Sequence, residues 1–134
     1  MLVYFCVYVS VMRLRSPTTY EVIRSESLKL KTNDVNETIG NVLDYVANNV
    51  SYKFYWYPRH IIDIWNTKEG DCTDQATLML YMLETIYYKN YSMQFRYAHG
   101  YCDGYKHDWL RLNDKIDIDN FDCSKRVYRG FGVW

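Results

Sequence analysis

The chain carries four cysteines, Cys6, Cys72, Cys102 and Cys123, and three histidines, His60, His99 and His107. Cys72 has the most telling surroundings. It follows Gly70-Asp71 and opens the apolar series Ala76, Leu78, Met79, Leu80, Met82, Leu83 and Ile86, which predicts a central, widely buried helix. A thiol at a helix start meets unpaired backbone N–H groups and the positive end of the macrodipole, and both favour a thiolate. Gly70 permits a sharp approach of the chain to that start. A nucleophilic cysteine needs two further groups: a base within hydrogen-bond reach, and something to orient the base.

His107 is the candidate base. It lies in "KHDWLRL", where His107, Trp109 and Arg111 alternate with Asp108, Leu110 and Leu112 as in a strand. Asn113-Asp114 is a tight-turn signal, and "KIDIDNF" follows as a third strand, with Asp117 and Asp119 opposite in face to Ile116 and Ile118. A two-residue hairpin loop makes paired positions sum to about 227, which sets His107 opposite about position 120. Asp119 is then the nearest carboxylate, with Asp117 further along the same face.

Other roles compete for these residues. Free cysteine is commonly a small buried hydrophobe. Cys102 and Cys123 can form a disulfide or stay as thiols. A zinc site would draw on Cys72, His99, Cys102 and His107, but His99-x-x-Cys102 has no second paired half-site, so no metal is assigned. His99 falls in the strand before His107, His60 serves a short helix, and Asp74 is read as a solvated acid in the first turn after Cys72.

The elements that must position this chemistry follow from periodicity. Val35, Ile39, Val42, Leu43, Val46 and Val50 predict an amphipathic helix over about 34–49, capped by Thr32 or Asn33. "YEVIRSESLKLK" reads as a strand or connector. Pro58 suits the first turn of a short helix through "RHIIDIWN". "SMQFRYAHGY" alternates as a strand, with Met93, Phe95 and Tyr97 on one side. Helices first and an antiparallel meander afterwards predict an α+β fold, a single domain over 1–134. The apolar run over 2–12 is too short to span a bilayer as a helix and carries its charges, Arg13 and Arg15, after it. It reads as a strand, a clipped signal remnant or an anchor through which the protein would meet a membrane.

The 16 basic and 16 acidic residues cancel, so no basic face for nucleic acid is expected. With 49% hydrophobic and 24% charged residues the chain is globular rather than disordered. Its fifteen tyrosines also suit a binding module.

"GDCTDQATLMLYML", then "HDWLRL", then "DIDNF" resembles the transglutaminase-like superfamily, and in particular the bacterial transglutaminase-like cysteine proteinases. Their Gly-Asp-Cys-Glu-Asp-Tyr-Ala is matched over Gly70–Ala76 apart from Thr73 and Gln75, and their Leu-Asp-Asn resembles Ile118-Asp119-Asn120. Trp65 resembles a tryptophan of that family upstream of its cysteine. The resemblance, over about 56–122, implies a papain-like α+β fold with Cys72 as nucleophile, His107 as base and Asp119 as its orienting carboxylate. It further implies a cysteine peptidase or amidase that acts on a peptide or protein substrate without cofactor, or else an acyl transferase to an amine. The Cys72 backbone N–H and one side chain among Tyr52, Trp56 and Trp65 would hold the oxyanion.

Overall fold

The structure is a computed structural model that describes residues 17–134. Cys6 and the apolar run over 2–12, with its expected strand, signal or anchor, lie outside the described residues. Helices α1 (Thr19–Leu28), α2 (Val35–Asn49), α3 (Ile61–Thr67) and α4 (Cys72–Ile86) precede strands β3 (Phe95–Cys102), β4 (Tyr105–Leu112), β5 (Ile116–Ile118) and β6 (Arg126–Phe131). Two short strands, β1 (Ser51–Tyr52) and β2 (Glu69–Gly70), pair in parallel between the helices. This is the expected α+β arrangement.

The segment read as a strand or connector is instead helix α1. Thr18 and Glu21 form a reciprocal capping box at its start, and only Ile23 and Ser27 are buried along it. So few apolar contacts leave little amphipathic signal. Helix α2 matches its expected span, but its cap is Asp34, which accepts from the amides of Asn36 and Glu37. Thr32 supports the cap from behind by accepting from the Asp34 amide. Pro58 lies before α3 rather than in its first turn, because His60 is the N-cap and its ring accepts from the Ile62 amide.

Helix α4 is central. Ala76, Leu78, Met79, Met82, Leu83 and Ile86 are buried, and they join Ile23, Ile39, Val42 and Val46 from the other helices and Phe95, Leu110, Leu112 and Ile118 from the sheet in one core. The sheet runs β5-β4-β3-β6 with antiparallel pairs throughout. Strand β6 has no counterpart in the sequence reading. Gly100 lets it close on β3, because a Cβ there would lie 1.9 Å from the Val127 carbonyl oxygen.

The β4–β5 hairpin corrects the expected register. Leu110 pairs with Ile118, Arg111 with Asp117 and Leu112 with Ile116, one residue beyond the two-residue turn. Asn113 and Asp114 both adopt positive φ, at 51° and 57°, and Lys115 completes a three-residue loop by donating to the Leu112 carbonyl. The extra residue changes the parity of the pairing. Continued to 109 and 119, it sets Asp119 on the same face as His107, whereas the two-residue turn would have turned Asn120 toward the histidine.

Candidate active site

Cys72 is the first residue of α4, so its amide has no acceptor within the helix. The start is tightly built. Asp71 accepts from the Asp74 amide and Asp74 from the Asp71 amide, a capping box on either side of the thiol. Asp74 is therefore not the solvated acid expected; it is buried, with the equally buried Arg59 guanidinium 3.7 Å away. Burial, then the neighbouring Asp71 charge, push its pKa up to about 6 against the opposing pull of the Asp71 amide and Arg59. The chain passes so closely here that a Cβ on Gly70 would sit 2.6 Å from the Asp74 Cβ.

His107 is 4% exposed on β4. Its Nε2 lies 2.8 Å from the Asp119 Oδ2, and the Asp119 side chain is 2% exposed. The same carboxylate oxygen accepts from Arg126 Nη2 at 2.9 Å, and its other oxygen accepts from the Phe121 amide. The ring stacks on Trp109 with 5.7 Å between centroids and meets Phe121 edge-on at 4.9 Å. Burial alone would lower the His107 pKa. The hydrogen bonds and charges of Asp119 and Cys72 outweigh it and raise the pKa to about 9. His107 is thus an imidazolium at neutral pH, with Asp119 and Cys72 both acting on it.

Of the other residues singled out in the sequence, Asp117, His99, Trp65 and Trp56 separate from this group, whereas the Cys102 and Cys123 sulfurs lie within 4.8 Å of a His107 ring nitrogen. Asp117 accepts from the Trp109 indole and pairs with Arg111, not with His107. Cys102 is bonded to Cys123, so the zinc set built on Cys72, His99, Cys102 and His107 lacks a free thiol at Cys102. His99 faces the Gly132 carbonyl and the Trp134 ring instead. Trp65 stacks on Tyr45 against the core, with Lys68 Nζ 3.3 Å above its ring. Trp56 is 84% exposed. Burial, then the charges of Cys72 and Asp71, raise the pKa of Tyr52. The parallel β1–β2 pair brings it there, as the Ser51 and Lys53 amides donate to the Lys68 and Gly70 carbonyls.

A cleft of about 210 Å³ opens between the two chain neighbours of Cys72, Asp71 and Thr73, and aromatic walls from Trp56, Tyr57 and Trp134. A larger hollow of about 690 Å³ lies around Tyr87, Tyr91 and Phe95, away from the start of α4, and neither hollow is lined by Cys72 or His107. Sequence reading missed Arg126, because its strand was not foreseen. It also missed the roles of Asp108 and Asn120, whose partners are far away in the chain.

These features define an α+β fold with a cysteine opening its central helix and a histidine–aspartate pair on the adjoining sheet. The chain belongs to the transglutaminase-like superfamily, whose model matches residues 24–132. It is 31% identical over 110 aligned residues to the UPF0252 protein MJ1282 of Methanocaldococcus jannaschii, covering 63% of this chain and 30% of that protein. Its fold is similar to the crystal structure of a proposed cysteine protease from Cytophaga hutchinsonii, with a TM-score of 0.64, 18% identity, and coverage of 92% of this chain and 47% of that one. The chain thus spans less than half the length of either relative.

Proposed function

We propose that this protein is a cysteine peptidase or amidase that cleaves a peptide or isopeptide amide through a thioester. The observation that carries this reading is the buried His107, raised to about 9 between Asp119 and Cys72. An imidazolium at neutral pH stabilises negative charge on the Cys72 sulfur, and the helix start adds to that. The sulfur attacks the amide carbon, forming a C–S bond and a tetrahedral oxyanion. His107 Nδ1–H protonates the leaving nitrogen as the C–N bond breaks, leaving the thioester. The neutral imidazole then takes a proton from water, the hydroxide adds to the thioester, and the C–S bond breaks to release the acid and return the thiolate–imidazolium pair.

Asp119 holds the ring with Nε2 occupied, which leaves Nδ1 for the sulfur and the leaving group. The Cys72 amide and the Tyr52 hydroxyl are the oxyanion donors in this reading; the proximity of Tyr52 to the thiol favours it over Trp56 and Trp65. The aromatic walls of the cleft suit the side chains of an extended peptide.

The test is hydrolysis of a peptide library, followed by mass spectrometry. Cys72→Ala and His107→Ala should each abolish cleavage with the fold intact, and full activity in Cys72→Ala would end the hypothesis. Asp119→Asn should cost far more turnover than Asp117→Asn, and equal losses would remove Asp119 from its role. Products that carry an added amine donor in place of a new carboxylate would assign the enzyme to transamidation instead.

A further inference from the structure

Each member of the Cys72, His107 and Asp119 group has a chain neighbour engaged in a side-chain bond to another part of the site. Thr73, next to Cys72, donates from Oγ1 to Oδ2 of Asp108, next to His107, at 2.5 Å. Gln75, one turn into the same helix, accepts at Oε1 from Nδ2 of Asn120, next to Asp119, at 2.6 Å. Its Nε2 donates to the Gly70 carbonyl at 3.1 Å, tying the same bond to the loop before the thiol. With the His107–Asp119 bond these links close a triangle between the start of α4, strand β4 and the turn after β5.

The burial of these groups argues that they hold geometry. Asp108 is 5% and Gln75 3% exposed. No cationic side chain among the described residues pairs with Asp108; its second oxygen accepts from the Trp134 amide at 3.3 Å. A carboxyl group this buried is costly unless its hydrogen bonds are kept. Two of the four link residues, Thr73 and Gln75, share α4 with Cys72, so loss of either bond frees the helix start to move relative to the imidazole.

We infer that Thr73–Asp108 and Gln75–Asn120 are positioning pairs that set the distance between the Cys72 sulfur and the His107 ring. The inference rests on the proposed Cys72–His107 chemistry, and its test needs no substrate. The rate of iodoacetamide alkylation at Cys72 is followed across pH by mass spectrometry of its peptide, well below the melting temperature of each variant. His107→Ala is the reference for a thiol without its imidazolium. Thr73→Val and Gln75→Met should each slow alkylation at neutral pH by about tenfold, about the free energy of one hydrogen bond, and move the pH profile toward that of His107→Ala. Thr73→Ser, which keeps the hydroxyl, should restore the wild-type profile. Asp108→Asn, whose amide can donate to Thr73 while its oxygen serves Trp134, should also retain it, because the pair acts through geometry and not through charge.

If Thr73→Val and Gln75→Met are alkylated with the wild-type rate and profile while His107→Ala is slowed, the positioning inference falls and the proposed function stands. If His107→Ala itself reacts as wild type, both fall. Should Thr73→Val fail to fold, Gln75→Met carries the same test.

Discussion

His107 holds its proton because two neighbours reward the charged form more than burial penalises it. The consequence for stability has a definite sign. The folded state binds this proton more tightly than the unfolded chain, so the gain is fully present below about pH 6.5 and is lost as pH rises through about 9. Thermal melts from pH 6 to 10 should therefore show a decline in the wild type that is flattened in His107→Gln. A decline of equal size in both would place its cause elsewhere. Tyr52 acts at the same scale. Its phenol is protonated at neutral pH, and partial burial with the charges of Cys72 and Asp71 raises its pKa further, so it remains a donor. Tyr52→Phe should lower kcat by about 100-fold with little change in KM, the pattern of a contact made in the transition state alone.

The elements place these residues through close approaches that leave no spare room. Gly70→Ala would drive a methyl group into the Asp74 side chain that caps α4. It should cost about 1–3 kcal/mol and slow Cys72 alkylation, since the same shift moves the thiol. Gly100→Ala meets backbone, the Val127 carbonyl, and should be worse, at or above about 3 kcal/mol, by separating β6 from β3. Urea unfolding of the two variants ranks them; a milder loss in Gly100→Ala would show that β6 can move away. The elements were unequally legible in the sequence. The helix from Cys72 and the strand through His107 could be read because apolar residues recur along both and most of them are buried. Helix α1 could not, with Ile23 its only buried apolar residue.

At the scale of the whole molecule, helices and sheet share one core through α4, and a disulfide staples the turn that carries Asp119 to the end of β3. Cys102 and Cys123 are 21 residues apart, so chain-entropy arguments assign the bridge about 3 kcal/mol. The double variant Cys102→Ala/Cys123→Ala should lose about that much in denaturant unfolding, and an unchanged midpoint would mean that the other ties of the turn suffice. Those ties are substantial: Asp103 accepts from the amides of Ser124 and Lys125, and Arg126 grips Asp119. Among the described residues, no helix is long and apolar enough to cross a membrane.

The sequence by itself determined the order of α2, α3, α4, β3, β4 and β5, the placing of a cysteine at the start of the buried helix, and the presence of a histidine strand followed by a carboxylate strand. Those features are local: periodicity, caps and turn residues act over a few positions and can be read along the chain. Tertiary structure alone turned the aspartate face of the strand, and not Asn120, toward His107, since a third residue in the turn reversed the parity of the hairpin. It alone brought together Thr73 with Asp108 and Gln75 with Asn120, 35 and 45 residues apart. Such pairs depend on how α4 lies against the sheet, and no spacing in a single sequence encodes the distance between two faces that meet only after the core has packed.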